Sequence, residues 1–110
     1  GEKDQSTYNR GIFYGRIEAI NYADRSISVR VVPEEFPAGE AKHSGRKTFY
    51  FDQQSKVRIV RDLLSFRALK LNQKIAIRYF AENNINVVDE LFIVQGPYQP
   101  FRYKFRRQRR

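Results

Sequence analysis

Chemistry in this chain would have to start from very few residues. There is one histidine, His43, and there is no cysteine, methionine or tryptophan. Without cysteine there is no thiolate and no disulfide. A zinc site built from histidine and cysteine lacks its ligands. A serine–histidine–acid mechanism would have to recruit His43, and it needs an imidazole held in one orientation. His43 sits in the polar, glycine-flanked segment AGEAKHSGRK, which reads as an exposed loop. Two carboxylate pairs, Glu34-Glu35 and Asp89-Glu90, are adjacent in sequence. Neighbours on a strand point to opposite faces, so neither pair suits cooperative acid–base work, and both read as solvated charge. The expectation is a non-catalytic protein with no cofactor and no metal site.

What remains is positive charge interleaved with rings. The formal net charge is +9, with nine Phe and seven Tyr. The charge is uneven. Residues 95–110 hold Arg102, Lys104, Arg106, Arg107, Arg109 and Arg110 and no acid, whereas the other 15 of the 21 basic residues face all 12 acidic ones. A polyanion is the natural partner of such a tail: nucleic acid, an anionic glycan or an acidic membrane face. If 101–105 is extended, Phe101, Tyr103 and Phe105 share one face and Arg102 and Lys104 the other. That pattern fits a sixth strand packed on the body, or a free arm gripping a polyanion. Residues 106–110 contain no apolar side chain and should stay solvated.

The elements that would position these residues are short strands. At 110 residues the chain can form one domain with a single core, and no apolar run approaches the roughly 18 residues a membrane helix needs. No signal peptide is visible, and Gly1 leaves a removed upstream signal or anchor compatible with the sequence. The expected division is an N-terminal arm at 1–10, a barrel domain at 11–94 and a basic aromatic tail at 95–110. Strand one runs from about Gly11 to Ile20; Ile17 and Ile20 lie three apart, which breaks alternation and predicts a β-bulge. A turn follows at 21–25. Strand two, Ser26–Val32, alternates cleanly, with Ile27, Val29 and Val31 on the core face. Pro33 stops it, and 33–45 is a long loop. Strand three is Arg46–Asp52, with Phe49 and Phe51 inward and Lys47 at a frayed start. Val57 and Ile59 mark another extended piece. Asp62–Ala68 is expected as a short helix capped by Asp62, with Leu63 and Phe66 at spacing three. Asn72 is the expected left-handed residue before strand four, Lys74–Phe80. Asn83-Asn84 is a hairpin turn. Strand five, Ile85–Val94, is apolar on both faces around Asp89-Glu90, which predicts cover on both sides or a bulge near Asp89.

Five or six short strands with one short helix between strands three and four predict an all-β, OB-like barrel. The run Gly15-Arg16-Ile17-Glu18-Ala19-Ile20 matches a G-x-I-x-x-I element. The run 69–75, LKLNQKI, matches L-K-x-G-x-x-V, with Asn72 where glycine is usual. On these elements residues 11–94 resemble exported bacterial OB-like domains of unknown function. The resemblance implies a fold and does not by itself imply an activity.

With the core face inward, Arg16, Arg30, Tyr50, Arg58, Lys74, Arg78 and Phe80 would face outward. Cations and rings on one surface suit single-stranded nucleic acid, because phosphates need neutralising and bases need stacking partners. The ordinary alternative is a solvated strand face whose long basic side chains guard against aggregation. The first functional expectation is therefore a polyanion-binding module, with single-stranded nucleic acid as ligand. It would use Arg16, Arg30, Tyr50, Arg58, Arg78 and the basic tail. The alternative is an exported β-barrel that binds other proteins in envelope assembly.

Overall fold

The computed structural model describes residues 9–32 and 45–96. Seven strands form in chain order: β1 (Asn9–Asn21), β2 (Ser26–Arg30), β3 (Arg46–Tyr50), β4 (Lys56–Ile59), β5 (Asp62–Leu64), β6 (Lys74–Glu82) and β7 (Ile85–Ile93). Their order in the sheet is β3-β2-β1-β6-β7-β4-β5, and a β3–β7 pairing at Tyr50↔Val87 closes β1, β2, β3, β7 and β6 into a five-stranded barrel. The β4–β5 hairpin extends the sheet from β7, with β4 parallel to its second half. The fold is thus an all-β, OB-like closed barrel.

The expected helix at 62–68 is not there. Asp62–Leu64 pairs with β4 instead, and only a single 3-10 turn, Phe66–Ala68, follows. Spacing three among Leu63, Phe66 and Leu69 suggested helix, but pairing against Val57, Arg58 and Ile59 prevails. The turn still serves the barrel. It seats Phe66 against Phe51, with ring centroids 4.9 Å apart, and Leu69 is buried beside them. Burying a side chain of this size contributes about 1.5–3 kcal/mol.

Both expected bulges are present. The β1–β2 register shifts between Ile17 and Ala19, so Glu18 is the extra residue. The β6–β7 register shifts so that Arg78 faces Glu90 and Tyr79 faces Val88, which makes Asp89 the extra residue. Asn72, Asn83 and Asn84 all have positive φ, at 70°, 54° and 66°, as the turn chemistry demands. β7 is buried on both faces from Val87 onward.

The core stacks aromatic rings through the barrel: Phe13 to Phe49 at 5.4 Å and Phe49 to Tyr79 at 5.1 Å. Lys47 is corrected by the structure. It is not frayed but paired with Val29, and its ammonium sits 5.7 Å and 5.6 Å from the Phe13 and Tyr79 ring centres. A lysine stem can follow apolar surface while its charge rests over rings. At Gly15 a Cβ would lie 2.4 Å from the Arg30 carbonyl oxygen, so two strands approach there at a distance only glycine allows. Asp52 closes the β3–β4 turn: its Oδ1 accepts from the Gln54 and Ser55 amides at 2.9 Å and 3.1 Å, and Ser55 Oγ donates to the Val88 carbonyl at 2.6 Å.

Candidate functional site

The structure divides the five body residues expected to contact a polyanion into two groups and a tyrosine: Arg16 and Arg30 are register partners across β1–β2, Arg58 and Arg78 meet at Glu90, and Tyr50 stands on β3. Arg16 donates to the Asn72 carbonyl through Nη1, tying β1 to the turn before β6. Arg30, on β2, lies 3.8 Å from Glu18 Oε1, and Arg46, on β3, donates to the same carboxylate. Hydrogen bonding to Glu18, and then its charge, raises the Arg46 pKa above its ordinary value. The bulge at Glu18 explains why one carboxylate can serve cations from two neighbouring strands: a bulged residue is re-aimed relative to the regular pleat. Tyr50 is half-buried on β3, between Ser26 and Val87. Thr48 beside it is occupied as well, its Oγ1 3.3 Å from Ser28 Oγ and its carbonyl accepting from Asn86 Nδ2 at 3.2 Å.

Arg58 and Arg78 are corrections. Both were expected to face solvent, yet their side chains are only 7% and 12% exposed. Arg58 Nε donates to Glu90, and Arg78 reaches Asp89 Oδ2 at 3.1 Å and Glu90 Oε1 at 3.7 Å. The pair Asp89-Glu90 is a correction for the same reason. Strict alternation would send these side chains to opposite faces as solvated charge. The bulge puts two β7 residues against one β6 residue, so both carboxylates turn towards Arg78. Phe80, also expected outside, is buried. These four charges form a dry structural network. Removing one partner from such a network is costly, while the network as a whole contributes little net stability.

Arg102, Lys104, Arg106, Arg107, Arg109 and Arg110 lie outside the described residues, as do His43, Glu34, Glu35 and the choice between strand and arm for 101–105. Among the described residues no group of three metal-binding side chains comes together, and no helix is long and apolar enough to cross a membrane.

One end of the barrel carries features that strand patterning did not single out. The 21–26 turn, the tip of the β4–β5 hairpin, the start of β6 and the end of β7 all meet there. Tyr22 packs edge-on to Phe66, with centroids 5.8 Å apart; the Arg25 guanidinium lies 5.2 Å from the Phe66 ring centre and that of Arg67 lies 5.6 Å from the Tyr22 ring centre. Tyr22, Val60, Leu63 and Leu71 are 49%, 70%, 59% and 59% exposed; Tyr22 and Leu71 line one groove, and Val60 and Leu63 lie on the β4–β5 hairpin. Val60 holds a φ of 55° at the hairpin tip, a conformation that costs a β-branched residue. A groove of about 630 Å³ opens between the end of β1 and residues 67–71. The available sequence signal was weak: large apolar residues inside polar turns, at Tyr22, Val60 and Leu71.

Closed five-stranded walls and a β1 bulge define an OB-like barrel. Solved structures of CusF share this architecture. The apo form from Escherichia coli superposes with a TM-score of 0.58 at 15% identity, covering 83% of this chain and 94% of that one. The Ag(I) form from the same organism gives 0.59 at 14% identity, covering 83% and 99%. No protein-family model and no curated protein sequence matches the chain. At this identity the likeness defines the fold alone. The chain also lacks the sulfur ligands that soft ions such as Ag(I) favour, having neither cysteine nor methionine.

Proposed function

We propose that this barrel is a non-catalytic protein-interaction module of the exported OB-like kind, docking through the apolar end of the barrel. The carrying observation is that Tyr22 and Leu71, each about half exposed or more, line one groove at that end, while Val60 and Leu63 stand exposed on the β4–β5 hairpin. Exposed apolar side chains collected in one place mark interaction surfaces. Strain at Val60 adds to this, since unfavourable backbone retained at an exposed tip points to use. The strand-face reading for single-stranded nucleic acid loses its support. Arg58 and Arg78 are buried in ion pairs, and Arg30 and Arg46 share Glu18. A polyanion reading now rests on the +9 charge and the tail residues 102–110.

The test is site-specific photocrosslinking in the full chain, in the cells that make it. Probes at Val60 and Leu71 should give adducts with one and the same polypeptide, identified by mass spectrometry, and a probe at Ile85, at the opposite end, should not. Adducts that form equally at Ile85, or that contain nucleic acid, would overturn the proposal.

A further inference from the structure

β1 outlasts its partner. Its pairing with β6 ends at Arg16↔Lys74, and Ile17 then closes on the following turn, its amide donating to the Gln73 carbonyl at 3.0 Å and its carbonyl accepting from the Asn72 amide at 2.7 Å. β1 nevertheless continues to Asn21, held on its other side by Ser28, Ile27 and Ser26 of β2. Among the described residues, no strand or backbone hydrogen bond meets the β6-side edge of Ala19–Asn21. An unpaired edge of this kind is a template for another strand. The groove of about 630 Å³ lies along it, with Arg67–Leu71 as its far wall. That volume is in the usual range for ligand sites.

The lining selects the occupant. Ile20, Leu69 and Leu71 make aliphatic walls, while Arg67 and Lys70 bring two exposed cations to one side. Neither cation has an acidic partner among the described ion pairs. On the opposite rim Glu18 is held by Arg46. We infer that this groove takes an extended acidic segment of a partner protein, adding a strand to β1 at residues 19–21. Its aliphatic side chains would lie on Ile20 and Leu71, and its carboxylates would face Arg67 and Lys70. Backbone pairing supplies affinity in this mode, and the side-chain pockets supply the choice of sequence. Nucleic acid is the poorer fit. The walls are aliphatic rather than flat, and Tyr22 already carries Arg67 near its ring and Phe66 at right angles to it, so the groove has few platforms for bases.

This inference deepens the protein-interaction proposal and rests on it. The probe is an immobilised array of octapeptides alternating Glu or Asp with Val, Ile or Leu, with Lys-substituted copies as controls, read with the full-length protein. The tightest binder is then carried into amide hydrogen exchange and fluorescence anisotropy, beside a single-stranded oligonucleotide of equal net charge. Acidic peptides should bind above the basic controls, slow exchange at 19–21, and lose about tenfold in affinity with Lys70→Glu, as expected for a rim charge reversed. Leu71→Asp should weaken the same peptides. Both positions are exposed, so each variant should keep the parental melting temperature. No binding above the controls, exchange protection elsewhere, or tighter binding of the oligonucleotide with the same sensitivity to Lys70→Glu would each overturn the groove assignment. If crosslinks from Val60 persist while the groove fails, the interaction module stands and only its docking mode is refuted. If both fail, the module is refuted too.

Discussion

Glu90 is where the charge placement in this barrel can be tested most sharply. Its side chain is 2% exposed and faces both Arg58, whose side chain is 7% exposed, and Arg78, with Oε1 3.7 Å from the latter. Glu90→Gln keeps the shape and removes the charge. Arg78 retains Asp89 at 3.1 Å, but Arg58 is left buried without its carboxylate. Breaking a buried pair from one side costs about 3–5 kcal/mol. In a domain of this size each kcal/mol lowers Tm by roughly 4–8 °C, so a fall of about 12 °C or more is expected. Urea unfolding should show a lower midpoint at unchanged slope. The double variant Arg58→Met/Glu90→Leu replaces both partners with apolar groups and should recover most of the loss, because desolvation of the two charges is removed along with their attraction. A Glu90→Gln protein within about 0.5 kcal/mol of the parent would match an ordinary surface change and would refute the buried network. So would a double variant as unstable as the single one. The result also bears on function: if Arg58 is structural, Arg58→Met should alter stability before it alters any binding to polyanions.

Three further outcomes follow from the backbone and from the ligand set. Gly15→Ala forces a Cβ to 2.4 Å from the Arg30 carbonyl, a backbone atom, whereas at Gly11 the nearest atom is a side-chain one, the Tyr79 hydroxyl at 2.8 Å; overpacking should cost Gly15→Ala about 1–3 kcal/mol and Gly11→Ala less, and equal thermal melts would contradict the close β1–β2 approach. Val60→Asn should raise stability by about 0.5–1 kcal/mol, since asparagine tolerates the left-handed φ of 55° that valine resists; a lower denaturation midpoint would show that the tip is not strained. Titration of the full chain with Ag(I), followed by calorimetry and Tm, should give no saturable site, because the chain offers no thiolate or thioether; a stoichiometric, stabilising site would overturn that chemistry.

How much of this was legible beforehand depended on how local the cause was. Alternation in strand two and the asparagines at 72, 83 and 84 act through their own backbone; the structure gives the asparagines positive φ and buries Ile27 and Val29 with Arg30 exposed, although the strand stops at Arg30 and Ser26 is buried as well. Broken alternation at Ile17–Ile20 and around Asp89 likewise located both bulges. The β4–β5 hairpin was hidden because its tip is a valine at positive φ, which no turn preference suggests. The helix expected at 62–68 failed because three residues of hairpin pairing with β4 outweighed a spacing pattern.

The placement of charge failed for a subtler reason. A bulge near Asp89 and the opposite-face rule for Asp89-Glu90 cannot both hold, because a bulge is the point at which period two stops counting faces. Once the bulge is accepted, Asp89 and Glu90 belong on one side. A side chain on the facing strand then has to neutralise them, and Arg78 is the residue opposite Glu90. Arg58 follows from the parallel neighbour β4, which brings a second cation to the same carboxylate. The bulge at Glu18 carries the same lesson to the other wall. It falls two residues after the last β1–β6 pair, Arg16↔Lys74, where a bulged strand bends away from its regular course. The residues beyond it keep β2 and have no β6 partner. The irregularity that gathers Arg30 and Arg46 onto Glu18 therefore also marks where the edge along the groove begins.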